Sequence, residues 1–131
     1  MDNAYESVLK FHQVFGHPVS EKPRMIDSER VQKRALWFRE EIDEFICSTS
    51  LEDQADAIID LIYFAFGALV EMGVKPQQLF DIVHNANMKK LWPDGLPHYN
   101  SDGKVIKPND WKDPENEIKF ALDQQLKGGA P

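Results

Sequence analysis

The chain of 131 residues carries 15 Lys and Arg against 22 Asp and Glu, which gives a formal net charge of −7, and 42% of it is hydrophobic. This composition fits one folded domain and argues against binding a nucleic-acid polymer, which calls for a basic surface. A single cysteine, Cys47, excludes an intrachain disulfide framework, and the lack of a signal-peptide pattern or of an apolar run of about 20 residues indicates a cytoplasmic protein that does not enter a membrane.

Four successive helices are predicted over the first 90 residues. Ser50 with Asp53 three residues later is typical of a helix start, Gly73 of a helix end, and Pro76 of the first turn of the next helix. The predicted bounds are about 4–15, 28–47, 51–72 and 76–90.

Beyond Leu91 the chain is rich in proline and glycine and reads as an irregular segment. Within it, 101–104 predicts a tight turn, with short flanking strands at Tyr99 and at 105–106. A final helix is predicted over 115–126.

The stretch from Glu40 to Val74 contains nine acidic residues and no lysine or arginine, although it is also the most apolar part of the chain. Solvated helices usually mix charges of both signs, so this stretch is unusual. The helix over 51–72 is apolar nearly all round and is therefore expected to be buried in a bundle. Its narrow polar stripe stacks aspartates one turn apart: Asp53, Asp56 and Asp60.

The helix over 28–47 repeats this arrangement. Its predicted core face consists of Val31, Ala35, Phe38, Ile42, Phe45 and Ile46. Beside that face lies a strip of three glutamates: Glu40, Glu41 and Glu44. A short loop joins the two helices, so they are expected to be antiparallel and to bring their acidic lines to a shared edge.

Several carboxylates this close together cannot all be ionised without a counter-charge, because each raises the pKa of its neighbours. Carboxylate oxygens suit Mg²⁺ or Mn²⁺ rather than zinc, and the four histidines show no zinc spacing. A solvated acidic stripe, a non-catalytic helical module that binds a basic partner, and a carboxylate di-iron bundle remain alternatives. The last would normally require Glu-x-x-His pairs, which the sequence lacks.

Four segments in this order carry a family resemblance: the E-E-x-x-E motif of Glu40–Glu44, then 56–63, 84–90 and 102–108. Together they resemble the all-α nucleoside triphosphate pyrophosphohydrolases of the MazG-like superfamily, and most closely the phosphoribosyl-ATP pyrophosphohydrolase-like group.

The resemblance implies an all-α, antiparallel helical bundle completed by oligomerisation, as a homodimer or homotetramer. It also implies Mg²⁺-dependent hydrolysis of a nucleotide between its α and β phosphates, which yields a monophosphate and pyrophosphate. Carried over by motif position, Glu40, Glu41 and Glu44 are metal ligands or orient water, and Asp60 is the ligand on the next helix. The superfamily's E-x-x-D pattern is not kept, since Ala57 stands three residues before Asp60. Asp56 is therefore taken as the second aspartate, with Asp53 as the alternative. We therefore predict Glu40 and Glu41 as catalytic residues and Glu41, Glu44, Asp56 and Asp60 as metal ligands.

A nucleotide substrate also calls for cations opposite the carboxylates. The stretch 84–112 has five lysines against three aspartates, a local charge of +2 in an acidic protein. We predict that Asn87, Lys90, Lys104 and Lys107 bind the substrate.

The expected organisation is a single domain over 1–131, with a helical core over about 24–90 and a tail over about 91–114 that covers the substrate and contains the hairpin-like turn.

Overall fold

The computed structural model describes residues 1–128, and the last three residues of the predicted domain, 129–131, lie outside this described part. The described residues form helices α1 (Asp2–Phe15), α2 (Ser28–Cys47), α3 (Leu51–Met72), α4 (Gln77–Met88) and α5 (Glu115–Leu126), with short strands β1 (His98–Tyr99) and β2 (Val105–Ile106). The predicted all-α fold is confirmed, and each helix lies within two residues of its predicted bounds.

The chain divides into two compact units, Met1–Pro76 and the part that begins at Gln77. The first unit holds α1, α2 and α3, and the second holds α4, the two strands and α5. That residues 1–131 form a single domain stays a prediction.

The helix ends follow from local hydrogen bonding. Asp27 accepts a hydrogen bond from the backbone N–H of Arg30 at 2.9 Å, and Ser50 accepts one from that of Asp53 at 3.1 Å. These side chains satisfy N–H groups that a helix N-terminus leaves unpaired. At the other end of α3, Gly73 adopts a left-handed φ of 70°, which a residue with a Cβ rarely adopts.

In the first unit α3 packs against both α1 and α2. Its core is small: Tyr5 and Val8 of α1 meet Phe66 and Val70 of α3. The other long side of α3 faces α2.

The predicted core faces of α2 and α3 are only partly correct. Val31, Ile42, Phe45 and Ile46 of α2 are between 42% and 71% exposed in the single chain, and Ile58 and Ile62 of α3 are also exposed. The expected burial of α3 in a bundle is therefore only partial in the single chain. The physical reason is that a three-helix unit offers too few apolar surfaces to cover both helices of the pair.

In the second unit α4 packs against α5, and β1 pairs antiparallel with β2. The Asn100 side chain accepts hydrogen bonds from the backbone N–H groups of Asp102 and Lys104, which closes the turn between the strands. The predicted hairpin-like turn is thus confirmed.

Trp111 connects the irregular segment to α4, because its indole N–H donates to the carbonyl of Ala86 at 2.7 Å.

Among residues 1–128 no single helix has the length and apolarity to cross a membrane, although α3 and α4 meet that test when counted together across the break between them.

The α2–α3 contact depends on one glycine in mid-helix. A Cβ at Gly67 would lie 2.6 Å from Nη1 of Arg34 and 3.2 Å from Nε2 of His12. Arg34 is only 4% exposed, so its guanidinium occupies the space that a side chain at this position would fill.

We therefore expect Gly67→Ala to destabilise the protein by about 1–3 kcal/mol through overpacking, although Gly→Ala in an open helix stabilises by up to about 1 kcal/mol. Urea denaturation measures the change in the free energy of unfolding. Gln54→Ala, at an exposed position of the same helix, is the control and should change it by less than about 0.5 kcal/mol. A Gly67→Ala variant as stable as the parent would refute this account of the contact.

Candidate active site

Three of the predicted acidic residues meet where α2 faces α3. One carboxylate oxygen from each of Glu41, Glu44 and Asp60 lies within 4.8 Å of the others. Glu41 is buried, Asp60 is half-buried and Glu44 is exposed, so the group begins inside the helix pair and opens to solvent. The spacing of the two helices' acidic lines thus correctly predicts that they converge.

The electrostatic cost of this arrangement is largest at Glu41. Burial, a hydrogen bond with Glu44 and repulsion from Glu44, Asp60 and Asp56 raise the pKa of Glu41 to about 7. Burial, together with repulsion from Asp56 and Glu44, also raises the pKa of Asp60. The carboxylates therefore resist carrying all their charges at neutral pH without a cation.

One oxygen of this group has no protein partner. Oε2 of Glu41 is buried and accepts no hydrogen bond from the described residues. A buried carboxylate oxygen normally has a partner, because leaving it without one costs free energy.

A divalent cation would satisfy this oxygen. Mg²⁺ holds carboxylate oxygens at about 2.0–2.1 Å, so two ligands of one ion lie up to about 4 Å apart. The three oxygens need only a small closing movement to reach that separation. The all-oxygen donor set therefore fits Mg²⁺ or Mn²⁺.

The other predicted acidic residues stand at the margin of this group. Asp56 is exposed one turn before Asp60, close enough to raise the pKa of both Glu41 and Asp60. Glu40 is exposed and does not belong to the three-oxygen group. Asp53 is exposed at the start of α3, where its N–H is bound by Ser50.

One acid of the base-free stretch is neutralised from outside it. Arg30 donates two hydrogen bonds to Glu71, at 2.6 and 3.1 Å, and Arg34 donates a third at 2.9 Å. Burial acts to raise the pKa of Glu71, but these hydrogen bonds bring it below its usual value. Bases that precede the stretch in the sequence therefore neutralise Glu71.

This ion-pair cluster was not predicted from the sequence, because its two arginines lie outside the base-free stretch. A signal was available: Arg30 and Arg34 are four residues apart on α2, upstream of the glutamates. In an antiparallel pair they must face the far end of α3, where Glu71 lies.

The predicted substrate-binding residues lie in the second unit. Nζ of Lys90 and Nζ of Lys107 lie 5.2 and 4.9 Å from the centre of the Trp111 ring, so one indole contacts both ammonium groups. Lys104 is exposed at the hairpin, and Asn87 is exposed near the end of α4. The structure thus brings two of the predicted lysines together, while the roles of all four residues stay predictions.

Comparison with known proteins places the chain in a family. The phosphoribosyl-ATP pyrophosphohydrolase family matches residues 8–87, which is more than half of the chain and includes all the acidic residues described above. No curated protein matches the chain.

A crystal structure of a candidate NTP pyrophosphohydrolase from Exiguobacterium sp. 255-15 is similar over 98% of each chain, with 34% sequence identity and a TM-score of 0.56. The family match and this similarity agree on one kind of activity. The chain therefore belongs to the phosphoribosyl-ATP pyrophosphohydrolase family and is a nucleotide pyrophosphohydrolase.

Proposed function

We propose that the protein hydrolyses a nucleoside triphosphate, or a related nucleotide such as phosphoribosyl-ATP, between its α and β phosphates, and that it requires Mg²⁺, with Mn²⁺ as a substitute. The observation that carries this proposal is the group formed by Glu41, Glu44 and Asp60, in which a buried carboxylate oxygen has no partner among the described residues. The family match and the similarity to a candidate NTP pyrophosphohydrolase support the class of substrate.

In this proposal Glu41, Glu44 and Asp60 hold the metal, and Asp56 completes the set on its solvent side. Bound Mg²⁺ supplies Lewis-acid stabilisation of the charge on the phosphate oxygens. The chain's own residues must then bind and orient the substrate and accept one proton from water.

The proposed reaction adds water to a phosphorus atom and breaks that atom's bond to the bridging oxygen, which leaves with pyrophosphate. Whichever of Glu40 and Glu41 is not committed to the metal accepts the proton that the water loses.

The lysines of the second unit supply cationic contacts in this proposal. Lys90, Lys104 and Lys107 contact phosphate oxygens, and Asn87 donates a hydrogen bond to the substrate. A triphosphate carries about four negative charges, which such cationic contacts neutralise in part.

We also propose that the protein assembles as a homodimer or homotetramer in the cytoplasm. Support comes from the apolar surface of α2 and α3, on which Ile42, Phe45, Ile46 and Ile59 are exposed in the single chain. A second copy would remove these side chains from water.

The function itself is tested with a panel of ribo- and deoxyribonucleoside triphosphates and phosphoribosyl-ATP, each assayed with Mg²⁺ for released pyrophosphate and orthophosphate. We expect at least one substrate to give pyrophosphate and a monophosphate in equal amounts. Orthophosphate as the primary product would contradict cleavage between the α and β phosphates.

Substitution of the proposed ligands should remove activity and metal binding together. We expect Glu44→Gln and Asp60→Asn each to lower kcat/KM by more than about 100-fold, since even residues that only support metal ligands cost 10–100-fold when lost. Calorimetric titration with Mn²⁺ should show the matching loss of affinity. Asp43→Asn removes an exposed acid from the same helix as Glu44 and should keep kcat/KM within about twofold. A fully active Glu44→Gln or Asp60→Asn variant would remove that residue from the site.

The acidic group should also make stability depend on pH when no divalent metal is present. The folded protein holds the Glu41 proton more tightly than the unfolded chain, in which the pKa is near 4.5. The resulting stability is fully present below pH 4.5 and is lost as the pH rises through about 7.

Thermal denaturation in EDTA should show the Tm falling over this pH range. Glu41→Gln should weaken the fall, and Asp43→Asn should not. At pH 8, Mg²⁺ should raise the Tm of the parent. A Tm that does not change with pH in EDTA would contradict the account.

Lys104, the lysine of the hairpin, should contribute more to substrate affinity than to turnover. Because Lys104 uses only its backbone in the turn, Lys104→Ala should raise KM for the nucleotide about three- to tenfold with a smaller change in kcat, the size expected for one charge-assisted contact. Lys119→Ala, at an exposed position of α5, is the matched control. An unchanged KM would show that Lys104 does not contact the substrate.

A further inference from the structure

The contacts between α2 and α3 follow a single register along both helices. Arg30 binds Glu71, Arg34 lies against Gly67, Trp37 stacks on Phe64 at 5.8 Å between ring centres, and Glu41 meets Asp60. Each step forward along α2 by three or four residues is matched by an equal step backward along α3. This regular spacing is that of two antiparallel helices in continuous contact.

The fully buried residues that define this register on α2 are polar. Within α2, all of which the structure describes, the buried residues are Arg34 and Glu41. The apolar residues Ile42, Phe45 and Ile46 are exposed and leave α2 without a fully buried apolar anchor. Contacts made by such exposed apolar side chains would let α2 move along α3 at a small cost in free energy.

The arginine end of the pair has directional contacts. Glu71 is 3% exposed and accepts hydrogen bonds from both arginines. The Arg34 guanidinium also reaches the carbonyl of Phe64, at 3.4 Å, and fills the space above Gly67. Buried ion pairs contribute little net stability, but breaking one is costly, so such pairs are suited to specifying one arrangement.

We propose that Arg30, Arg34 and Glu71 are positioning residues that fix the α2–α3 register and thereby bring Glu41 and Glu44 to Asp60. Glu41 follows Arg34 by seven residues, and Asp60 precedes Gly67 by seven, so both segments span about 10 Å. A shift of α2 by one turn at the arginine end therefore moves the glutamates by one turn relative to Asp60. The part of this proposal that concerns metal binding rests on the proposed function, whereas the register itself does not.

The test compares Glu71→Gln with Val70→Ala in a Cys47→Ser background. Val70 is fully buried in the core with α1, so its truncation lowers stability without touching the arginine cluster. Spin labels at Arg39→Cys and Gln54→Cys, which are exposed positions on α2 and α3, report the distance between the helices. Mn²⁺ alone is the probe of the carboxylate group.

We expect Glu71→Gln to shift or broaden the distance distribution and to weaken Mn²⁺ binding by about tenfold or more, as for other residues that orient metal ligands. Val70→Ala should leave both unchanged even if its Tm falls further. If Glu71→Gln does not fold, Arg30→Gln, which removes only the outer, partly exposed ion pair, takes its place with the same expected changes.

The proposal is overturned if distances and Mn²⁺ affinity stay unchanged in Glu71→Gln, or if Val70→Ala alters them equally. A parent protein that binds no Mn²⁺ would refute the metal part of the proposed function, while the label distances would still decide the register. A parent that binds Mn²⁺ without hydrolysing any nucleotide would refute the proposed reaction alone.

Discussion

Repulsion between carboxylates is the constraint around which the α2–α3 pair is organised. Glu41, Glu44 and Asp60 bring oxygens within 4.8 Å of one another, and burial together with this crowding raises the pKa of Glu41 to about 7. The same helix pair also contains a buried acid, Glu71, that the chain neutralises with its own arginines. Glu71 is even less exposed than Glu41, at 3% against 9%, yet hydrogen bonds from two arginines bring its pKa below the usual value. The contrast indicates that the acidic group is left for a cation from solution.

The two ends of the α2–α3 pair thus have different roles. At one end Arg30, Arg34 and Glu71 form a hydrogen-bonded cluster, and the Arg34 guanidinium fills the space over Gly67. At the other end, near the short loop between α2 and α3, the carboxylates open to solvent. An ion-paired end beside an acidic end that opens to solvent is the arrangement expected of a preorganised site, in which supporting contacts hold the carboxylates in place before a cation binds.

Much of this could be predicted from the sequence, because the decisive signals are local. Helix starts and ends follow from capping side chains such as Asp27 and Ser50 and from Gly73. The convergence of Glu41, Glu44 and Asp60 follows from helical periodicity and a short connecting loop. The order of the four motif segments correctly indicated the family.

The rest depends on information that local patterns do not carry. Hydrophobic periodicity marks Val31, Ile42 and Phe45 as core, but it cannot tell whether the covering surface belongs to the same chain. The arginine cluster joins residues some 40 positions apart, so it emerges only when the antiparallel register is known. Glu40 lies about 100° around α2 from Glu41, and Asp56 lies one turn before Asp60 along α3, so neither belongs to the three-oxygen group.

The most direct test of the central claim is anomalous diffraction from crystals grown with Mn²⁺. The account predicts one or more manganese peaks within about 2.1–2.3 Å of carboxylate oxygens of Glu41, Glu44 and Asp60, the distance expected for a hard cation bound by oxygen. Manganese absent from this group while the protein hydrolyses nucleotides, or bound only at other acidic residues, would contradict it.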